Sequence, residues 1–132
     1  MRTLAIGDIH GGFKGLKQVL KRAEVSAKDQ LIFLGDYVDG WSQSAQVIDY
    51  LIELSSYNKC IFIKGNHDVW CEQWLAEGSV NDVWYVHGGK ETMESYEGFS
   101  KTQKQVHLDF FEAMPLYHID DENRLFLHAG FT

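Results

Sequence analysis

Apolar and polar positions follow two rhythms in this chain, and the switch between them recurs at a regular interval. Leu4-Ala5-Ile6, Leu31-Ile32-Phe33-Leu34 and Cys60-Ile61-Phe62-Ile63 are apolar throughout. Such runs read as strands of a parallel sheet with helices covering both faces. Between the first two runs, Phe13, Leu16, Val19, Leu20 and Ala23 fall at helical spacing, predicting a helix from Phe13. Ser42, a good N-cap residue, is the expected start of a second helix. Its inward stripe takes in Val47, Ile48, Leu51 and Leu54. Asp29-Gln30 and Tyr57-Asn58-Lys59 mark the turns into the second and third strands. Strands joined by helical crossovers run parallel, so their C-terminal ends open on one rim.

After residue 67 the rhythm changes. Trp70, Trp74, Leu75, Val83, Trp84 and Tyr85 predict short, aromatic-rich helices, interrupted at Gly88-Gly89. A further helical piece is expected from Glu91 to Tyr96. Val106, Phe110, Phe111 and Met114 form one helix face, closed by Pro115. Leu116 to Ile119 and Arg124 to His128, joined by Asp120-Asp121-Glu122-Asn123, read as a β-hairpin.

The chemistry lies where the strands end. Each apolar run leads to Gly and then to a polar side chain: Gly7-Asp8-Ile9-His10, Gly35-Asp36-Tyr37-Val38-Asp39, and Gly65-Asn66-His67-Asp68. Asp8, Asp36 and Asn66 stand about thirty residues apart, the length of one βαβ unit. A single Gly-Asp after a strand is usually a turn. Three on one rim, each with a histidine or second carboxylate nearby, are a candidate metal site, because open α/β sheets bind ligands there. Aspartate, asparagine and histidine suit divalent manganese, iron or zinc. In a two-metal site one carboxylate can bridge the ions, and Asp36, on the middle strand, is the natural bridge.

Composition narrows the partners. At 132 residues, with 45% hydrophobic positions, the chain fits one domain with a modest core. A net charge of −7 argues against broad binding to a nucleic-acid backbone. It leaves room for a phosphorylated substrate, because bound cations reverse the local field. No apolar stretch approaches the roughly 20 residues needed to span a bilayer, and no basic-then-apolar leader opens the chain. Cys60 and Cys71 make no disulfide framework. The expected setting is cytoplasmic.

Taken with His128-Ala129-Gly130, the three strand-end motifs resemble the signature set of the calcineurin-like metallophosphoesterases, above all the small bacterial phosphoprotein phosphatases. Trp84, Gly88-Gly89, Thr92 and Ser95-Tyr96 resemble that branch too, as does Phe110-Phe111 ahead of Pro115-Leu116-Tyr117. The resemblance implies an α/β fold, a β-sandwich flanked by helices, covering residues 1–132 as the N-terminal portion of a domain. Two divalent ions are implied, manganese first, with iron or zinc as alternatives. Asp8, His10 and Asp36 would hold one ion, and Asp36, Asn66 and His128 the other. His67, oriented by Asp39, would protonate the leaving group. The family often has Arg where this chain has Gly40 and Lys64; Lys64 keeps the charge for gripping substrate but loses the planar fork. Family members also continue past His-Ala-Gly, adding an arginine, a last metal-binding histidine and strands of the second sheet. An incomplete second sheet is therefore expected, with dimerisation through the C-terminal hairpin.

The expected activity is hydrolysis of phosphomonoesters, as in serine/threonine phosphoprotein phosphatases. One alternative is hydrolysis of dinucleoside polyphosphates, against which His10 weighs, since that branch tends to carry glutamine there. The other is a catalytically impaired metal- or phosphate-binding module. Among the remaining residues, His107 is expected to pack, His87 to serve its loop, and Asp120-Asp121-Glu122 to form a solvated turn. Trp41 either walls the pocket or joins the core.

Overall fold

The computed structural model describes residues 1–130. Phe131, expected on the apolar face of the hairpin, lies outside the described residues. Strands β1 (Thr3–Ile6), β2 (Gln30–Phe33) and β3 (Lys59–Phe62) form a parallel sheet in that order. Helices α1 (Phe13–Arg22) and α2 (Ser44–Leu54) make the crossovers. The second half holds α3 (Asn66–Glu77), the single turn α4 (Asp82–Trp84), a π-type turn over Tyr85–Gly89, α5 (Lys90–Ser95) and α6 (Lys101–Glu112). An antiparallel hairpin, β4 (Tyr117–Ile119) and β5 (Leu125–Leu127), follows.

Register separates the sheet into two faces. The rows Leu4–Leu31–Cys60 and Ile6–Phe33–Phe62 pack against Leu16 and Leu20 of α1 and Val47, Ile48 and Leu51 of α2. The alternate rows, Thr3–Gln30–Lys59 and Ala5–Ile32–Ile61, turn the other way. Helices on both faces were expected, and the structure corrects this. Right-handed crossovers that advance in one direction place both connecting helices on the same face. The other face meets the hairpin across a cleft of about 480 Å³ lined by Thr3, Gln30 and Lys59 on one side and His118 and Ile119 on the other. The architecture is thus an α/β sandwich whose second sheet has two strands among the described residues.

Local chemistry shifts several boundaries. The second helix starts at Ser44 rather than near Ser42, since the non-helical cap position falls on Gln43, and the Ser44 hydroxyl accepts from Asp39 N–H. Val19 and Val106 face outward, 54% and 49% exposed, so apolar spacing overstated both stripes. His107 and Leu108 fill the inward positions instead. His107 packs as expected, bonded to the Tyr96 hydroxyl (2.7 Å) and Asp49 (2.6 Å). Burial lowers its pKa, with Asp49 opposing. Asp120 orders the hairpin turn by accepting from the backbone N–H groups of Glu122 and Arg124. No helix of the described residues is long and apolar enough to cross a membrane.

At the opposite end of the sheet from the rim, Asp29 accepts from the Arg2 guanidinium (2.9 Å) and from Ser26 N–H (3.0 Å). The hydrogen bond from Arg2, then that from Ser26, hold its carboxyl well below the usual range. A depressed carboxyl pKa stabilises the fold above its unfolded value of about 3.9, and that contribution fades as pH falls below it. Asp29→Asn should therefore lower the urea midpoint at pH 7, and its gap from wild type should narrow as pH drops through 4. A gap constant from pH 7 to pH 3 would remove the ionic role.

Candidate active site

Hydrogen bonds between backbone groups stitch the three strand-end loops to one another. Ile9 N–H and His10 N–H both donate to the Asp36 carbonyl (3.0 Å each), and Gly11 N–H donates to the Tyr37 carbonyl (2.8 Å). The second and third loops meet at Asp68, which is fully buried. Its carboxylate accepts from Asp36 N–H (2.7 Å), Gly65 N–H (2.8 Å) and Tyr37 N–H (3.0 Å). Burial pushes the Asp68 carboxyl up to about 7 even against those three donors. The approach is so close that a Cβ on Gly65 would overlap Asp36 Oδ1.

This stitching brings the motif side chains together. One ligand atom from each of Asp8, His10 and Asp36 lies within 4.8 Å of the others. His10 Nε2 stands 3.4 Å from Asp8 Oδ2 and 3.6 Å from Asp36 Oδ2. Its other nitrogen, Nδ1, is fixed by the Val38 carbonyl at 2.9 Å. Burial works against protonating His10, but Val38, Asp36 and Asp8 outweigh it and raise the pKa. His128 Nε2 lies 3.2 Å from the same Asp36 Oδ2 and 3.1 Å from Asn66 Oδ1, and its Nδ1 stands 3.8 Å from Asp8 Oδ1. His128 Nδ1 is held by the Leu34 carbonyl at 2.9 Å. Both imidazoles thus converge on one oxygen of Asp36, with Asp8 and Asn66 adding further oxygens. That chemistry and spacing fit a divalent ion, and the backbone bond to each ring fixes which nitrogen faces the cluster.

His67 sits beside this cluster, its ring centroid 5.0 Å from that of His10. Its Nδ1 faces Asp39 Oδ2 at 2.8 Å, leaving Nε2 as the nitrogen turned away from that partner. Asp39 Oδ2 also accepts from Trp84 Nε1–H (2.7 Å), and Oδ1 accepts from the Thr92 hydroxyl (2.5 Å). Burial raises the Asp39 pKa against the pull of Thr92, His67 and Trp84. Gly88 makes this possible, since a Cβ there would come within 2.8 Å of Asp39 Cβ. Among the site residues, His10 (φ 48°), Asp36 (φ 59°) and Asp39 (φ 70°) all adopt the left-handed region. Strained backbone of this kind costs on the order of 1–3 kcal/mol per residue and persists only where its surroundings enforce it.

Lys64 is placed differently from the expectation. Its ammonium pairs with the Glu72 carboxylate of α3, so its charge is already matched. A substrate-gripping role for Lys64 has no geometric support here. Trp41 is 71% exposed, which excludes core packing. His87 Nδ1–H is spent on the Val83 carbonyl, as a loop role requires. Sequence reasoning gave no role to Asp68, Trp84 or Thr92, although each lies in a motif already singled out. For Asp68 the available signal was an acidic residue at the third position of a helix.

The sequence model of the calcineurin-like phosphoesterases matches residues 1–132. The chain belongs to that family. It is 34% identical over 139 residues to the bis(5'-nucleosyl)-tetraphosphatase PrpE of Anoxybacillus flavithermus, covering 95% of this chain and 56% of that protein. The PrpE of Oceanobacillus iheyensis is 28% identical, with 98% and 56% covered. This chain thus spans little more than half the length of these curated relatives. In fold it matches a Saccharomyces cerevisiae serine/threonine phosphatase with similarity to human PP5, at a TM-score of 0.70 and 23% identity, covering 98% of this chain and 38% of that one. It also matches a metallophosphoesterase of Sphaerobacter thermophilus, at a TM-score of 0.63 and 25% identity, covering 91% and 43%.

Asp68 gives the direct test of how this calcineurin-like site is assembled. Asp68→Ala strands three buried N–H donors, each bonded to a carboxylate in wild type. At about 1–3 kcal/mol per lost partner, it should cost at least about 3 kcal/mol in urea unfolding. Asp68→Asn should cost less, because one oxygen can still serve two of the donors. Equal losses for the two variants would show that shape, not hydrogen bonding, is what the position supplies.

Proposed function

We propose that this chain carries the metal-binding and proton-donating part of a phosphoester hydrolase, with dinucleoside polyphosphates as its substrate class. The observation that carries the hydrolase reading is the meeting of Asp8, His10, Asp36, Asn66 and His128 around one carboxylate, with a partnered His67 alongside. The substrate class rests on the PrpE relatives, whose 34% identity over 95% of the chain outweighs the reservation drawn from His10.

Asp8, His10 and Asp36 would hold one divalent ion, and Asp36, Asn66 and His128 a second, manganese being the first candidate. When bound, such ions supply Lewis acidity at the phosphate oxygens and activate water at neutral pH. The protein's own groups do the rest. Val38 and Leu34 carbonyls keep His10 and His128 aimed at the cluster. Asp39 holds the Nδ1 side of His67, leaving Nε2 to give a proton to the departing oxygen. Trp84 and Thr92 hold Asp39 in turn, so they act as positioning residues.

The His67–Asp39 pair favours a second reading, hydrolysis of phosphomonoesters. A general acid helps most when the leaving group is a basic alkoxide, and such help is typically worth about 10²–10⁴-fold. A nucleotide leaving group, with a phosphate pKa near 6, needs less.

The two readings separate in one set of assays with manganese. Wild type should hydrolyse diadenosine tetraphosphate with kcat/KM at least tenfold above that for a phosphoserine peptide. The opposite order would favour the phosphomonoester reading, and turnover of neither, nor of nitrophenyl phosphate, would leave a binding module. His67→Asn should lose far more rate on the phosphoserine peptide than on nitrophenyl phosphate, and Trp84→Phe should show the same pattern more weakly. Equal loss on both substrates would remove the acid role.

A further inference from the structure

A second cleft opens beside the metal-binding loops, lined by Asp8, Lys14 and Trp41 together with the apolar Ile6, Phe13 and Leu16. Its volume is about 590 Å³, inside the range of about 300–1,000 Å³ usual for small-molecule sites. The indole of Trp41 is 71% exposed, an unusual condition for so large an apolar ring. Its backbone is not loose, since Trp41 N–H donates to the His10 carbonyl at 2.8 Å. The ring is therefore carried on the same loop framework that sets His10. Gly12 lies beneath it, where an added Cβ would stand 3.7 Å from Trp41 Cδ1 and begin to fill the floor. Ser42 and Gln43 also line the cleft.

We infer that this cleft is a nucleobase subsite, with the base stacked on Trp41 while its phosphates lie beside Asp8. The inference rests on the polyphosphate reading above and adds what selects the nucleoside. Charge supports the division of labour. Asp8 is where bound cations would attract phosphate, whereas a neutral base gains from a flat aromatic ring whatever its sequence identity. Ser42 and Gln43 offer both donors and acceptors to the base edge, as polar groups in an otherwise apolar cleft do. The exposed ring is available without disturbing the core, so its removal should not unfold the protein.

The test compares two non-hydrolysable ligands in the presence of manganese: a methylene-bridged diadenosine tetraphosphate and base-free methylenediphosphonate. Calorimetric titration of wild type should show the dinucleotide binding at least tenfold tighter. Trp41→Ala should weaken the dinucleotide about tenfold, the scale of one base on one ring, and the diphosphonate less than twofold. Trp41→Phe, which keeps a stacking face, should recover most of the difference. A dinucleotide preference that survives Trp41→Ala overturns the subsite and leaves the substrate class standing. Equal binding of the two ligands by wild type, or binding of neither, also overturns the subsite; the hydrolysis assays then judge the substrate class alone. Parallel weakening of both ligands would assign Trp41 to the shape of the loop, and the inference would fall.

Discussion

One buried carboxylate governs how the loops of this protein meet. Asp68 receives the backbone N–H groups of Asp36, Tyr37 and Gly65. Parallel strands bring their ends to one rim, but they do not by themselves bring the loops beyond those ends into contact. The sheet sets neighbouring strands about 4.8 Å apart, whereas the metal-binding atoms must come closer than that. Asp68 closes the remaining distance between the second and third loops. The Asp36 carbonyl does the same between the first and second by accepting two N–H groups at once. Asp36 thus belongs to the framework through its backbone and to the site through its side chain.

That double duty explains where strain collects. His10, Asp36 and Asp39 occupy a backbone region that side chains rarely adopt, and all three lie in the stitched loops. Each is pinned by bonds that its neighbours would lose if it relaxed. Asp36 N–H would leave Asp68, and Asp39 N–H would leave the Ser44 and Thr92 hydroxyls. The core contributes stiffness from below. Tyr37, fully buried, donates its hydroxyl to the Ile63 carbonyl at 2.6 Å, so the ends of β2 and β3 cannot slide past one another. Strain of about 1–3 kcal/mol per residue is tolerable because release at one position would unmake several bonds elsewhere.

The strands, their parallel order and the places where chemistry collects were legible because period and chemistry agreed there. Apolar runs ended at Gly, and the polar residues after them fell one βαβ unit apart. The covering of the sheet was less legible, since a run buried under helices and one half-covered by a hairpin look alike in sequence. The inward stripes of α1 and α6 were overread at Val19 and Val106, because an apolar side chain at helical spacing is not obliged to be buried. Ser42 looked like a cap and is not one, since the chain enters the helix at Gln43, whose N–H is held by the Gly11 carbonyl of another loop, a tertiary contact that no local pattern reveals. Trp84 stayed silent for another reason. Its role is a single N–H aimed at Asp39 across 45 residues, a contact that only the tertiary fold creates.

Charge gives the site its final constraint. The rim presents Asp8 and Asp36, with the buried Asp39 committed to His67 behind them, Gly40 stands where the family often has arginine, and Lys64 is neutralised by Glu72. A polyanionic substrate approaching these side chains alone would meet net repulsion, of order 1–4 kcal/mol per charge pair at 4 Å between water and surface dielectric. Asp8 and Asp36 would become attractive to phosphate once divalent cations are bound at them, since such ions would bring more positive charge than the two carboxylates remove. Ion binding and phosphate binding would on this account be coupled, with Lys14 the cationic side chain that lines the cleft beside Asp8. In the proposed subsite Trp41, exposed and uncharged in the cleft that Asp8 also lines, would supply a flat apolar surface that reads what the phosphate is attached to, where the charge of the rim cannot.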